Sequence, residues 1–73
     1  MINLKHNNYN VVVKQLRQQA GLTLEQAEEY TGISSRTISR YENGQYEPSL
    51  YYVLKISELA HQEVLIASAS WFL

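Results

Sequence analysis

A chain of 73 residues is one small domain, and at that size folding buries only about 60% of the surface the unfolded chain exposes. It has no cysteine, so neither a disulfide nor a thiolate metal site is open to it, and 45% apolar against 18% charged residues excludes a disordered chain. Its net charge of −1 and pI near 6.0 lack the strongly basic balance that marks most dedicated nucleic-acid binders.

Charge is unevenly placed. Five of the six cations (Lys5, Lys14, Arg17, Arg36, Arg40) precede residue 41, while the acids gather at 25–29 and recur singly afterwards, so a locally basic face is compatible with the neutral total. The longest apolar stretches, such as Val11-Val12-Val13 and Val64-Leu65-Ile66-Ala67, fall far below the roughly 20 residues of a membrane span. The first eight residues show no export signal, and a cytoplasmic location is expected.

Residues 1–10, with Asn3, Asn7, Asn8 and Asn10, read as an irregular arm ending at a helix N-cap. A helix is expected from Val11, with Val13, Leu16 and Ala20 on one face and Val12 beside it, ending at a left-handed Gly21. Thr23 and Gln26 form a capping-box pattern that opens a short second helix, which stops before Gly32. Ser34 caps a third helix over 35–43, with Ile38 and Tyr41 inward, and Gly44 ends it. Pro48 marks a loop, and Ser49 caps a fourth helix whose apolar stripe is Leu50, Val53, Leu54, Ile56 and Leu59. An apolar C-terminal helix or tail is expected over 61–73, and no run has strand periodicity. The expected organisation is an arm (1–10), an all-α domain of four to five short helices (11–60) and the tail.

Two helices of about eight residues joined at Gly32 have the anatomy of a helix-turn-helix, whose second helix lies in the DNA major groove. Leu16-Arg17, Leu22-Thr23, Gly32-Ile33-Ser34, the run from Thr37 to Gly44, and Pro48-Ser49-Leu50 resemble the phage repressor and Cro type of helix-turn-helix protein, the XRE family. The resemblance implies a lambda-repressor-like fold, with Leu16, Leu22, Ile33, Ile38 and Leu54 in the core. It implies an ion pair between Arg17 and Glu42 that fixes the third helix, which removes Arg17 from the DNA contacts. It places Ser35, Arg36, Thr37, Ser39 and Arg40 at or near the groove, with Asn43, Lys14 and Lys5 as phosphate contacts. Arginine suits that work, because its planar fork takes guanine O6 and N7 together or clamps a phosphate. The implied partner is a double-stranded DNA operator, bound by a dimer with half-sites one helical turn apart, in a phage or mobile-element switch inside a bacterial cell.

The chain also departs from that family. Leu24 stands where a phosphate-gripping glutamine is usual, Ala27-Glu28 replaces a leucine–alanine pair, and the loop Gln45-Tyr46-Glu47 is not basic. Each departure removes a phosphate contact or adds repulsion, and such contacts dominate affinity. Tyr30, Tyr46, Tyr51 and Tyr52 occupy commonly polar sites, and the tail adds Trp71 and Phe72. A second reading follows, resembling the small phage proteins called modulators of repression: the chain binds a repressor protein through Leu24, Glu28, Arg36, Arg40 and Tyr46, or through Trp71 and Phe72. Enzyme readings lack support. His6 and His61 are far apart, Glu25, Glu28 and Glu29 read as a solvated helix face, and Gly21, Gly32 and Gly44 terminate helices rather than cradle a phosphate. No cofactor or metal is expected.

Overall fold

A computed structural model describes residues 8–61 in full and the backbone of 2–4 and 64–66. In chain order its elements are β1 (Ile2–Leu4), α1 (Tyr9–Gln19), α2 (Leu24–Thr31), α3 (Ser35–Glu42), α4 (Leu50–Leu59) and β2 (Val64–Ile66). The body is all-helical. The two strands pair in parallel, Ile2 opposite Val64, Asn3 opposite Leu65 and Leu4 opposite Ile66.

Local chemistry sets the helix starts. Thr23 accepts from the Gln26 amide at 3.1 Å while the Gln26 side chain accepts from the Thr23 amide at 2.9 Å, so the capping box is closed in both directions. Ser34 and Ser49 accept from the amides of Thr37 and Tyr52, at 3.2 and 3.1 Å. The α2–α3 turn needs Gly32, which sits in the left-handed region at φ +79°. Thr31 locks the same turn: its hydroxyl donates to the Ala27 carbonyl at 2.8 Å and accepts from the Ile33 amide at 3.1 Å. A tertiary contact extends α1 two residues before the expected start, since the Tyr9 hydroxyl donates to the Gly44 carbonyl at 3.2 Å.

The core gathers Val12, Val13 and Leu16 of α1, Ala27 of α2, Ile38 and Tyr41 of α3, and Tyr52, Val53, Ile56 and Ala60 at α4. Tyr52 is fully buried, its ring 5.3 Å from that of Tyr41. Its hydroxyl oxygen has no hydrogen-bond partner among the described residues. Ala20, Leu22, Leu24, Ile33 and Leu59 pack partly buried around this centre.

Three expectations change, the first being the irregular arm of 1–10, which holds β1 at Ile2–Leu4 and the first residues of α1. Leu54, expected in the core, is 50% exposed. The inward face of α4 runs through Tyr52, Val53, Ile56 and Ser57, and Leu54 lies a further 100° around from Val53, on the side of Tyr51 and Glu58. The segment from 61, expected as helix or apolar tail, has a strand at Val64–Ile66. Three residues are too few to show strand periodicity, and the pairing with Ile2–Leu4 is a contact between the two ends of the chain. Residues 67–73, with Trp71 and Phe72, and residues 5–7, with Lys5 and His6, lie outside the described residues.

Candidate nucleic-acid interface

α3 is held at both ends by charged groups from other elements. At its C-terminal end, Arg17 of α1 grips Glu42 in a two-pronged contact, Nε to Oε2 at 2.7 Å and Nη2 to Oε1 at 2.9 Å. A third donor, Nη1, reaches the Leu22 carbonyl at 2.8 Å, so one guanidinium ties α1 to α3 and to the approach of α2. The Arg17 and Glu42 side chains are only 13% and 7% exposed. The bond to Glu42 raises the Arg17 pKa above its ordinary value against the opposing effect of burial, so the guanidinium keeps its charge. With its donors directed inward, Arg17 takes no place on the outer face.

At the N-terminal end, the Glu28 carboxylate accepts from the Ser35 amide at 2.7 Å. α3 has no acid in its own first turn, and Glu28 supplies the negative charge that a helix N-terminus favours. This resolves what an acid does where α2 packs close to α3: it caps the neighbouring helix. Nothing in the local sequence pattern announces that bond, because donor and acceptor meet only once the Gly32 turn is closed.

Between these anchors α3 presents its polar side. Ile38 and Tyr41 face inward, whereas Arg36 is exposed and Arg40 half-buried one turn further on, projecting from the same face. The Thr37 hydroxyl accepts from Ser34 Oγ at 2.9 Å, beside the cap bond that its own amide gives to the same Ser34 oxygen. Ser39 Oγ accepts from Asn43 Nδ2 at 3.4 Å. Arg40 donates from Nη1 to the Tyr46 hydroxyl at 3.2 Å, with its guanidinium carbon 5.3 Å from the ring centroid. Lys14 is exposed on α1. Its neighbours on that side of the helix fix its position, since the Asn10 side chain lies beside Gly44 and Arg17 reaches Glu42. Lys14 therefore stands along the C-terminal end of α3.

The residues of the protein-partner reading divide differently. Leu24 packs partly buried against the core, whereas Glu28 stays exposed with its carboxylate bonded to the Ser35 amide. Of the surplus tyrosines, Tyr52 is core, while Tyr30, Tyr46 and Tyr51 are 58%, 50% and 53% exposed. The Tyr51 hydroxyl donates to the Thr31 carbonyl at 2.9 Å, pinning α4 to the end of α2. No group of three His, Asp or Glu residues comes together among the described residues, and no helix of theirs is long and apolar enough to cross a membrane.

The arrangement is two short helices at a glycine turn, the second carrying two outward arginines and clamped at each end. No curated protein and no solved structure matches the chain. A family model described as helix-turn-helix matches residues 13–60, more than half of the sequence, from the middle of α1 to the end of α4. The chain belongs to that helix-turn-helix family, the XRE type of DNA-binding regulator.

Proposed function

We propose that this chain is a small transcriptional regulator that binds double-stranded DNA by laying α3 in the major groove. The observation that carries the reading is the pair of arginines one turn apart on the outer face of a helix fixed at both ends. A recognition element needs such fixing, because a base edge is read only by a donor held within a few tenths of an ångström of its place. Arg36, in the first turn, reaches base edges, while Ser35, Ser39, Asn43 and Lys14 lie around it toward the sugar–phosphate backbone.

The domain measures 29 × 24 × 19 Å, shorter than the roughly 34 Å between half-sites one helical turn apart. Two copies are thus needed to read a two-fold operator. The family resemblance suggests a phage or mobile-element switch in a bacterial cytoplasm as the setting. The alternative, a modulator that works by binding a repressor, has Leu24 half-buried against the core, while Glu28, Arg36 and Tyr46 are exposed.

The experiment is a salt-resolved binding titration on the DNA flanking the gene, with and without the repressor encoded beside it. Binding that is specific without the repressor, and weakens steeply with salt, supports the DNA reading. Binding seen only with the repressor present supports the modulator.

A further inference from the structure

We infer that Tyr46 and Arg40 together form a clamp for a DNA backbone phosphate, with Tyr46 both positioning the arginine and donating its own hydroxyl proton to the phosphate. This rests on the DNA reading of α3 and assigns the non-basic loop 45–47 a part in it. The loop lacks lysine and arginine, yet it places a phenol against a guanidinium. Arg40 sits over the hydroxyl end of the Tyr46 ring, within 3.2 Å of its oxygen and 5.3 Å of the centroid.

That geometry directs protons outward. A hydroxyl has one proton and two lone pairs, and here a lone pair takes the Arg40 Nη1 proton. The phenol proton is left free to donate, and a cation bonded to its oxygen makes it a stronger donor. Arginine has four further N–H groups beyond the one given to Tyr46. Guanidinium and phenol thus present donors side by side, a set that the oxygens of one phosphate match.

The backbone fixes the pairing. The Arg40 carbonyl accepts from both the Gln45 amide, at 2.9 Å, and the Tyr46 amide, at 3.3 Å, so the turn after Gly44 folds back on the residue whose side chain it supports. The Tyr9 hydroxyl holds the same turn through the Gly44 carbonyl at 3.2 Å. The clamp stands at the C-terminal end of α3. In a helix that meets base edges with its N-terminal turn, that end lies beside the sugar–phosphate strand. Arg36 and Arg40 accordingly divide the work, the first for bases and the second, with Tyr46, for backbone.

The test is fluorescence anisotropy at several salt concentrations, with two probes: the duplex flanking the gene, and a scrambled duplex of the same length and composition. Tyr46→Phe keeps the ring and loses the hydroxyl, and is expected to weaken both probes alike by about tenfold, the loss of a hydrogen bond to a charged group. It should leave the salt slope unchanged, because no cation is lost. Arg40→Gln should lower the slope of log K against log salt by about 0.9. Adding Tyr46→Phe to Arg40→Gln should cost under about twofold more, because the two residues act on one phosphate. Circular-dichroism melts confirm that each variant folds. Wild-type affinity in Tyr46→Phe, or a tenfold loss undiminished in the Arg40→Gln background, overturns the clamp. If Arg36→Ala loses affinity and Tyr46→Phe does not, the clamp fails and the DNA reading stands. If wild type binds neither probe, both fail together.

Discussion

Breaking the Arg17–Glu42 pair tests what orients α3. Both side chains are nearly buried, at 13% and 7% exposure, and the carboxylate receives two guanidinium bonds of 2.7 and 2.9 Å. Arg17→Met leaves a carboxylate in a nearly dry site and removes the donor to the Leu22 carbonyl, a loss of about 3–5 kcal/mol. Glu42→Leu strands a cation that keeps its bond to Leu22 and has somewhat more solvent, so the loss should lie near 3 kcal/mol, the lower end of that range. A domain of this length has a total stability of about 4–11 kcal/mol, so either change removes a large share of it. The double variant places two apolar side chains where two charges met and should lose less than the sum, by a coupling of about 2–3 kcal/mol. Urea denaturation followed by circular dichroism at 222 nm gives the four free energies. Single losses within about 0.5 kcal/mol, or additive losses, would show that the pair does not hold α3. High salt should change little, since a buried pair is weakly screened.

Other outcomes follow from the same contacts. Tyr52 is buried with no partner for its hydroxyl among the described residues, and burial, aided by the nearby Glu42 carboxylate, raises its pKa well above the ordinary 10.0. Above pH 10 the unfolded chain releases a proton that the folded chain keeps, so stability should fall by about 1.4 kcal/mol per pH unit. Tyr52→Phe should abolish that slope and raise stability at neutral pH by about 1 kcal/mol. Urea titrations at pH 8 and 11 compare the two proteins, and an equal alkaline loss in both contradicts the assignment. Glu28→Ala should cost about 1 kcal/mol by uncapping α3, and Glu28→Gln, which keeps an acceptor, distinctly less; thermal melts that show no difference between them exclude a charge-dependent cap. Leu54→Ala should change stability by about 0.5 kcal/mol or less, against about 2–5 kcal/mol for Ile56→Ala, and equal losses would return Leu54 to the core.

What the sequence made legible is what short-range chemistry decides. Thr23, Ser34 and Ser49 cap their helices because a side-chain oxygen three residues before an amide reaches it in any context. Gly32 ends α2 because only glycine enters the left-handed region without strain. Leu54 misled because α4 is apolar on nearly every side. Periodicity cannot rank Leu54 against Tyr52 when the buried side carries a tyrosine, whose ring is apolar and whose hydroxyl is not. The Glu28–Ser35 and Arg40–Tyr46 bonds each cross a glycine turn, so their partners meet only in three dimensions. The Arg17–Glu42 contact, 25 residues apart in sequence, was legible only through family resemblance, since no spacing rule predicts it.

If α3 reads DNA, Arg36 gives the sharpest test, because it is exposed and its removal should leave the fold intact. The measurement is the anisotropy titration of wild type and Arg36→Ala against the duplex flanking the gene and its scrambled counterpart, at about 0.15 M salt. Arg36→Ala should lose about 1–3 kcal/mol on the flanking duplex and less on the scrambled one, with unchanged thermal melting. Equal affinity of the two proteins for both duplexes would contradict it.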